Sequence, residues 1–311
     1  MTANTVDRTS DDTDHATMPV DVDPAPSERL RKPKRIGLKL ASIWITILVF
    51  TALTASWLPI KPYDESFVTG IQQAPRLSFS EPFGGDQLGR SILSRIIHGG
   101  RVTLAVGVIA VVIGLVAGGV LGLLAGYSGR AVDYVLTTLT DAMLAFPPIV
   151  FLLALSAVLR GAGQQLTLPK MVLMLAVLTI PNFFRQTRAQ VIAIRDRDFV
   201  RAAESLGARR SWILFRELMP NVLLPVMSIV FVVMAGLIIA EGSLSLLGVG
   251  IPEPQPSWGR MIRDGKDNLQ LSQEHMHGLV IPMVILFLTV FSFNIVGEAA
   301  RAKLDTRSSR L

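Results

Sequence analysis

The feature that most constrains this chain is a series of long runs without charge. Along its 311 residues no Asp, Glu, Lys or Arg occurs at 40–60, 102–129, 142–159, 218–240 or 278–297. A helix crossing the hydrocarbon core of a bilayer needs about 20 mostly apolar residues, and each run meets or approaches that length. The runs are apolar on every side, whereas a helix of a soluble protein is apolar along one stripe. A hydrophobic share of 50% against 17% charged residues also lies outside the range of ordinary soluble domains. A sixth span is expected at 169–192, because Leu173 to Ile180 is too apolar for water, although Pro181 and Arg185 interrupt the segment. Neighbouring helices can satisfy the backbone groups that a membrane proline frees. The pattern predicts an all-α membrane protein with six spans, near 40–60, 102–127, 132–158, 169–192, 221–248 and 278–298.

Six spans put both termini on one side, and the basic residues indicate which. Arg8, the run Arg29, Arg31, Lys32, Lys34, Arg35 and Lys39, Arg130, the stretch 185–216 and the tail after 298 together hold 20 of the 30 Lys and Arg. By the positive-inside rule the termini and the 185–220 loop are expected to be cytoplasmic. The loops 59–101, 160–168 and 249–277 are then external. The net charge of +6 follows from this flanking pattern and is no sign of nucleic-acid binding. Residues 1–28 are polar and acidic and are expected to be disordered. With the basic run they form a cytoplasmic tail over 1–35. Residues 36–100 hold a first span, read as a signal-anchor, and an external loop. Residues 101–311 hold the five-span core, with a cytoplasmic loop at 195–220. The chain lacks cysteine, which excludes disulfides, thiolate metal sites and cysteine catalysis.

Several residues stand out against the apolar background. Gly114, Gly118, Gly122 and Gly126 recur every fourth position and share one face of the second span. Such a stripe lets a neighbouring backbone come close. Ionisable groups inside a span are functional candidates by default. Asp133 and Asp141 fall eight residues apart on the third span; Asp133 is expected to pair with Arg130, and Asp141 either lines a pathway or pairs with a helix. Glu241, beside Gly242, Ser243 and Ser245 on the fifth span, is either a packing anchor or a solute contact. Phe146-Pro147-Pro148 should kink the third span. His15, His98, His275 and His277 are scattered, and no metal site or catalytic constellation is expected from them.

The most informative segment lies between spans, from Arg197 to Asn221. Phe199, Ala202, Ala203 and Leu206 fall at i, i+3, i+4 and i+7, giving a short helix one shallow apolar face. Gly207 suits the left-handed position that ends a helix. Ser211 is placed to cap a second short helix, and Pro220 marks re-entry to the membrane. Spacing alone leaves two uses open: docking into a protein groove, or lying on lipid headgroups.

This segment resembles the EAA loop of ABC importer permeases. Ala202, Ala203, Gly207 and Pro220 match in register, while Arg201, Glu217 and Met219 stand where the pattern has Glu, Ile and Leu. Phe83 to Arg90, Ser94 to Arg101, Asp141 to Pro148, Glu241 to Gly250, Pro256 to Gly259 and Asn294 to Asp305 also resemble the dipeptide, oligopeptide and nickel branch, in its second permease subunit. The likeness spans about 36–307. It implies a type I ABC importer transmembrane domain and a coupling helix seated in a groove of a cytoplasmic ATPase. It also implies a homologous permease as partner, two ATPase subunits or domains, an external solute-binding protein and alternating access. The chain has no Gly-x-x-x-x-Gly-Lys-Ser/Thr loop, so no cofactor is expected on it, and ATP with Mg belongs to the partners. The cargo is expected to be a peptide, with nickel or another small solute as the alternative. Two further readings are an ion-coupled secondary transporter, which should show internal repeats, and an intramembrane enzyme built on Asp133 and Asp141.

Overall fold

A computed structural model describes residues 35–66, 69, 74–75, 82–161, 166–269 and 276–308. Nearly all of the tail expected at 1–35 lies outside these residues, as does His275. Every named element among them is helical. In chain order these are α1 (Arg35–Thr54), α2 (Ile92–Tyr127), α3 (Arg130–Leu144), α4 (Pro148–Arg160), α5 (Leu168–Ile194) and α6 (Asp198–Ser205). Then come α7 (Arg210–Trp212), a π-helical turn (Ile213–Leu218), α8 (Met219–Met227), α9 (Val230–Leu246), α10 (Trp258–Leu269) and α11 (His277–Ser308).

Four helices are long and apolar enough to cross a membrane alone: Ile36–Thr54, Ile92–Tyr127, Leu168–Ile194 and His277–Lys303. Counting each of two bent pairs as one span makes six. The first bent pair corrects the expected kink. α3 and α4 meet at 97°, a break and not a bend within one helix. Pro147 and Pro148 both lack an N–H, so the carbonyls of Met143 and Leu144 lose their i+4 donors together. The second pair, from Arg210 to Leu246, turns by 54° at Ser228 and Ile229. There the Ser228 hydroxyl donates to the Pro225 carbonyl at 2.6 Å.

Two stretches expected as external loop are helical. Residues 92–101 form the first turns of α2, because Ser91 caps it by accepting from the Ser94 N–H and because Ile92 and Ile96 are buried. At 36 residues α2 is about 54 Å long and projects beyond a bilayer core. Residues 258–269 form α10, an amphipathic helix that buries Trp258, Met261 and Ile262. The Trp258 indole donates to the Ile96 carbonyl at 3.0 Å, pinning α10 to the start of α2.

The centre of the bundle is the α2–α5 seam. A methyl group added to Gly118 would meet the Ile180 carbonyl oxygen at 2.5 Å. One on Gly122 would meet the Phe184 carbonyl oxygen at 2.7 Å, and one on Gly126 the Val191 Cβ at 2.7 Å. At Gly114 it would collide with the Thr179 hydroxyl. All four glycines are buried, and backbone lies directly on backbone. α9 packs beside this pair and on α11, and α1 lies against α11, where the Trp44 indole donates to Thr289 at 3.2 Å. The bundle therefore has an α6 end, with Tyr127 and Ile194, and an α10 end, with Ile92 and Leu168.

Candidate functional site

The α6 end carries the segment singled out from the sequence. α6 runs Asp198–Ser205 and closes on Gly207, whose φ of +79° is the left-handed conformation expected there. A Cβ on Gly207 would touch nothing within 4 Å, so only backbone conformation restricts that position. The apolar face divides differently from the spacing argument. Val200 and Ala203 are buried toward the π turn, itself anchored by buried Ile213, Leu214 and Leu218. Ala203 therefore belongs to the inward side. Phe199, Ala202 and Leu206 remain outside, with Leu206 88% exposed. Two bonds tie the segment to the end of α2: Tyr127 donates to Glu204 at 3.2 Å, and Arg195 to the Gly126 carbonyl at 2.9 Å.

The second short helix, α7, begins at Arg210 with Arg209 at its N-cap position and no side-chain cap, so Ser211 does not play the capping role expected of it. Three residues later, at Ile213, the helix widens into the π turn, and at its end the Met219 N–H reaches back five residues to the Leu214 carbonyl. Pro220, next in the chain, cannot donate to the Arg216 carbonyl, and the wider turn accommodates the missing bond. Beside it, Ala208, Arg209, Ser211, Trp212 and Phe215 line a shallow open hollow.

Two ion pairs join α3 to α5 inside the spans. Arg188 grips Asp133 with two parallel contacts, one through Nε and one from Nη2 at 2.7 Å. The expected partner, Arg130, was nearer in sequence, but Asp133 turns toward α5. Bidentate Arg–carboxylate pairs of this kind are the strong ones. Asp141 faces Arg185 at 3.5 Å through a single contact, with both side chains about half exposed. Because α5 runs to Ile194, Arg185 and Arg188 are span residues and not loop residues; without them the basic bias still points the same way. Glu241 is 2% exposed and faces the α9–α10 junction. One of its oxygens accepts from Ser245 and Ser257, each at 2.9 Å. Gly242 and Gly259 let the two helices close over it.

The α10 end holds a site that the sequence showed only as signature residues. Asp86 accepts from the Leu88 and Arg90 N–H groups at 2.8 and 2.9 Å, and from Arg90 Nε at 2.7 Å. It also contacts the Arg95 guanidinium, which reaches Asp264 on α10 at 3.1 Å. Arg260 on α10 extends the cluster to Glu253 at 2.9 Å. Three guanidiniums and three carboxylates thus clasp 83–95 onto α10. Burial pushes the Asp86 carboxyl up, but Arg95, Arg90 and the backbone donor outweigh it and hold it below the ordinary carboxylate range.

The arrangement is a helical bundle with an open helix–turn at one end and an ionic clasp at the other. Residues 118–310 match the model of the binding-protein-dependent transport system inner membrane component family. The chain belongs to that family. Its curated relatives agree along most of their length. The dipeptide transport system permease protein DppC of Alkalihalophilus pseudofirmus is 33% identical over 90% of this chain and 88% of its own. The glutathione transport system permease protein GsiD of Pectobacterium atrosepticum is 34% identical over 86% of each chain. The di/tripeptide permease DppC of Pseudomonas aeruginosa is 33% identical over 85% of this chain and 86% of that protein.

Solved structures agree in fold. The MetNI methionine ABC transporter in inward-facing form aligns with a TM-score of 0.52 at 18% identity, over 66% of this chain and 96% of that one. An amino acid ABC transporter with histidines gives 0.51 at 19% identity, over 68% and 94%. The permease thus has the all-α fold of a type I ABC importer transmembrane domain and is a multi-pass membrane protein.

Proposed function

We propose that this permease imports peptides into the cytoplasm by alternating access, driven by ATP hydrolysis on partner subunits. The observation that carries the reading is α6. It stands beyond the spans, is fixed inward by Val200 and Ala203, and presents Phe199, Ala202 and Leu206 outward. A rigidly backed apolar helix face suits a protein groove, and the groove belongs to a cytoplasmic ATPase carrying ATP and Mg. The coupling loop then comprises Phe199, Ala202, Leu206 and Gly207, with Ala203 and Pro220 shaping it from behind. Both termini lie in the cytoplasm, and the α10 end faces the external solute-binding protein. A homologous permease completes the membrane pair. The peptide cargo rests on the relatives named for dipeptide, di/tripeptide and glutathione transport. The intramembrane-enzyme reading loses its reactive pair, because Asp133 and Asp141 each face an arginine and not one another.

ATP-dependent peptide uptake by vesicles carrying the assembled transporter tests the function. Leu206→Glu and Gly207→Val should leave the permease inserted, abolish uptake and release the ATPase on purification. Normal uptake with the ATPase retained in both variants would remove this loop as the coupling element.

A further inference from the structure

The α3 helix presents three unlike sides. Asp133, Thr137 and Thr140 turn toward α5. Val132, Val135 and Leu139 form an exposed apolar side, 45%, 62% and 60% accessible. Tyr134, Thr138, Asp141 and Ala145, spaced i, i+4, i+7 and i+11, form a third side that is exposed and largely polar. An apolar exposed side is accounted for by lipid or a partner helix; a polar one at this depth is not.

The depth follows from two independent helices. Asp141 is eleven residues into α3 from Arg130, and Arg185 is nine residues short of the end of α5. At about 1.5 Å per residue both lie roughly 14–17 Å from the α6 end, near the middle of a ~30 Å core. An ion pair with both members half exposed there faces water and not lipid. The break just beyond it points the same way. Residues 144–150 are all exposed, and non-helical backbone at membrane depth survives only inside protein or along a water-filled cavity.

We propose that the Tyr134–Thr138–Asp141 side of α3, with Arg185, lines the solute pathway, and that Asp141 and Arg185 exchange their mutual contact for the two charged ends of a zwitterionic solute. The identity of that solute rests on the peptide reading; the placement of the pathway does not. Asp141 offers a carboxylate to an ammonium, and Arg185 a guanidinium to a carboxylate. Their own pairing is single and long, so exchanging it for solute contacts is nearly balanced. The neighbouring Asp133–Arg188 pair is bidentate and holds the helices together while that exchange occurs.

Since the native chain has no cysteine, single-cysteine variants report without background from it. Thr138→Cys and Leu139→Cys, each in the full chain assembled with its partner subunits in vesicles, are treated with a cationic and an anionic methanethiosulfonate. Labelling of this chain is read by mass spectrometry. Thr138→Cys should label at least about ten-fold faster than Leu139→Cys, because only a thiol in water ionises and reacts. Adding Arg185→Gln should slow the anionic reagent at that cysteine, and adding Asp141→Asn the cationic one. Alanyl-alanine should protect the cysteine, and N-acetyl-alanine amide should not. Equal labelling at both positions, or none at Thr138→Cys, overturns the pathway. Charge-dependent labelling without protection by any free peptide keeps the pathway and overturns the zwitterion exchange. Failure of wild-type peptide uptake, with the labelling pattern intact, overturns only the cargo.

Discussion

α5 makes two seams, and they are built on opposite principles. Against α2 it meets a stripe of four glycines, with carbonyl oxygens and Cβ atoms where side chains would otherwise stand. Against α3 it makes two ion pairs, one bidentate and one long and half exposed. The first seam is closely packed and determined by shape. The second leaves most of α3 uncovered; among its fifteen residues only Thr140 is buried. In a membrane the hydrophobic effect does not drive helix association, so shape and polar bonds must do so. A transporter needs both kinds of contact: a fixed seam to act as a frame, and a second one that can admit water and solute between its helices.

The largest expected effect lies in the glycine seam. Gly118→Leu or Gly122→Leu places a side chain on the α5 backbone, which cannot yield as a flexible side chain would. Overpacking a core costs about 1–3 kcal/mol when neighbours can shift, and here the loss should exceed that range. The measurement is the yield of monodisperse transporter complex in detergent. Wild-type yield from both variants would mean that α2 and α5 are not in backbone contact.

This seam was legible in the sequence, and the ionic one was not, for a physical reason. A glycine every fourth residue is a property of one helix, visible within a single turn. The Asp133–Arg188 pair joins residues 55 apart, and nearby Arg130 offered a simpler partner. Arg188 fell where the expected span 169–192 and the basic stretch from 185 overlap, because arginines end an apolar run whether or not the helix continues. The 97° break was readable as a proline effect but not in size, since tandem prolines remove two donors at once and no periodicity reports the angle. α10 was hidden by the Pro- and Gly-rich residues around it. On α6 the spacing located a helix and its terminating glycine, but it could not show that Val200, between the chosen positions, turns inward and takes Ala203 with it.

The ionic seam supplies the next effect. Arg188→Gln leaves Asp133 without its cation, with the carboxylate about one quarter exposed. Breaking one partner of a buried pair costs about 3–5 kcal/mol, and partial exposure should reduce that to roughly 1–3 kcal/mol. Asp133→Asn with Arg188→Gln removes both charges and should be less destabilising than Arg188→Gln alone. Thermal unfolding of the detergent-solubilised complex reads both. A double variant as unstable as the sum of the two single ones would mean that the residues do not interact.

The clasp at the α10 end extends the comparison outside the spans, to buried ion pairs that can titrate. Asp86 has its carboxyl held below the ordinary value, about 3.9 for an unfolded chain. Its contribution is therefore fully present above that value and lost as pH falls through the lower, folded one. Thermal stability should be flat from neutral pH to about 5 and fall toward pH 3. In Asp86→Asn it should be lower at neutral pH, with a shallower acid-side fall. The same acid-side fall in Asp86→Asn would assign it to other carboxylates.

The smallest effect on stability should come from Arg185→Gln, and that is its use. Exposed single-contact ion pairs contribute about 0–1 kcal/mol, so the melting temperature should move far less than in Arg188→Gln, three residues away on the same helix. Uptake should nonetheless fall markedly, because Arg185 lies on the open side of the seam and Arg188 on the closed side. The informative quantity is the ratio of the two losses. If α3 is only a packed helix, uptake in each variant will track stability, and Arg188→Gln will be the worse transporter. If its polar side lines the pathway, Arg185→Gln will transport poorly while melting like the wild type. A conservative Arg185→Lys keeps the charge and should recover part of the uptake, which a defect in packing alone would not do. Arg185→Gln transporting and melting like the wild type would remove the distinction between the two ion pairs, and with it the functional half of the comparison.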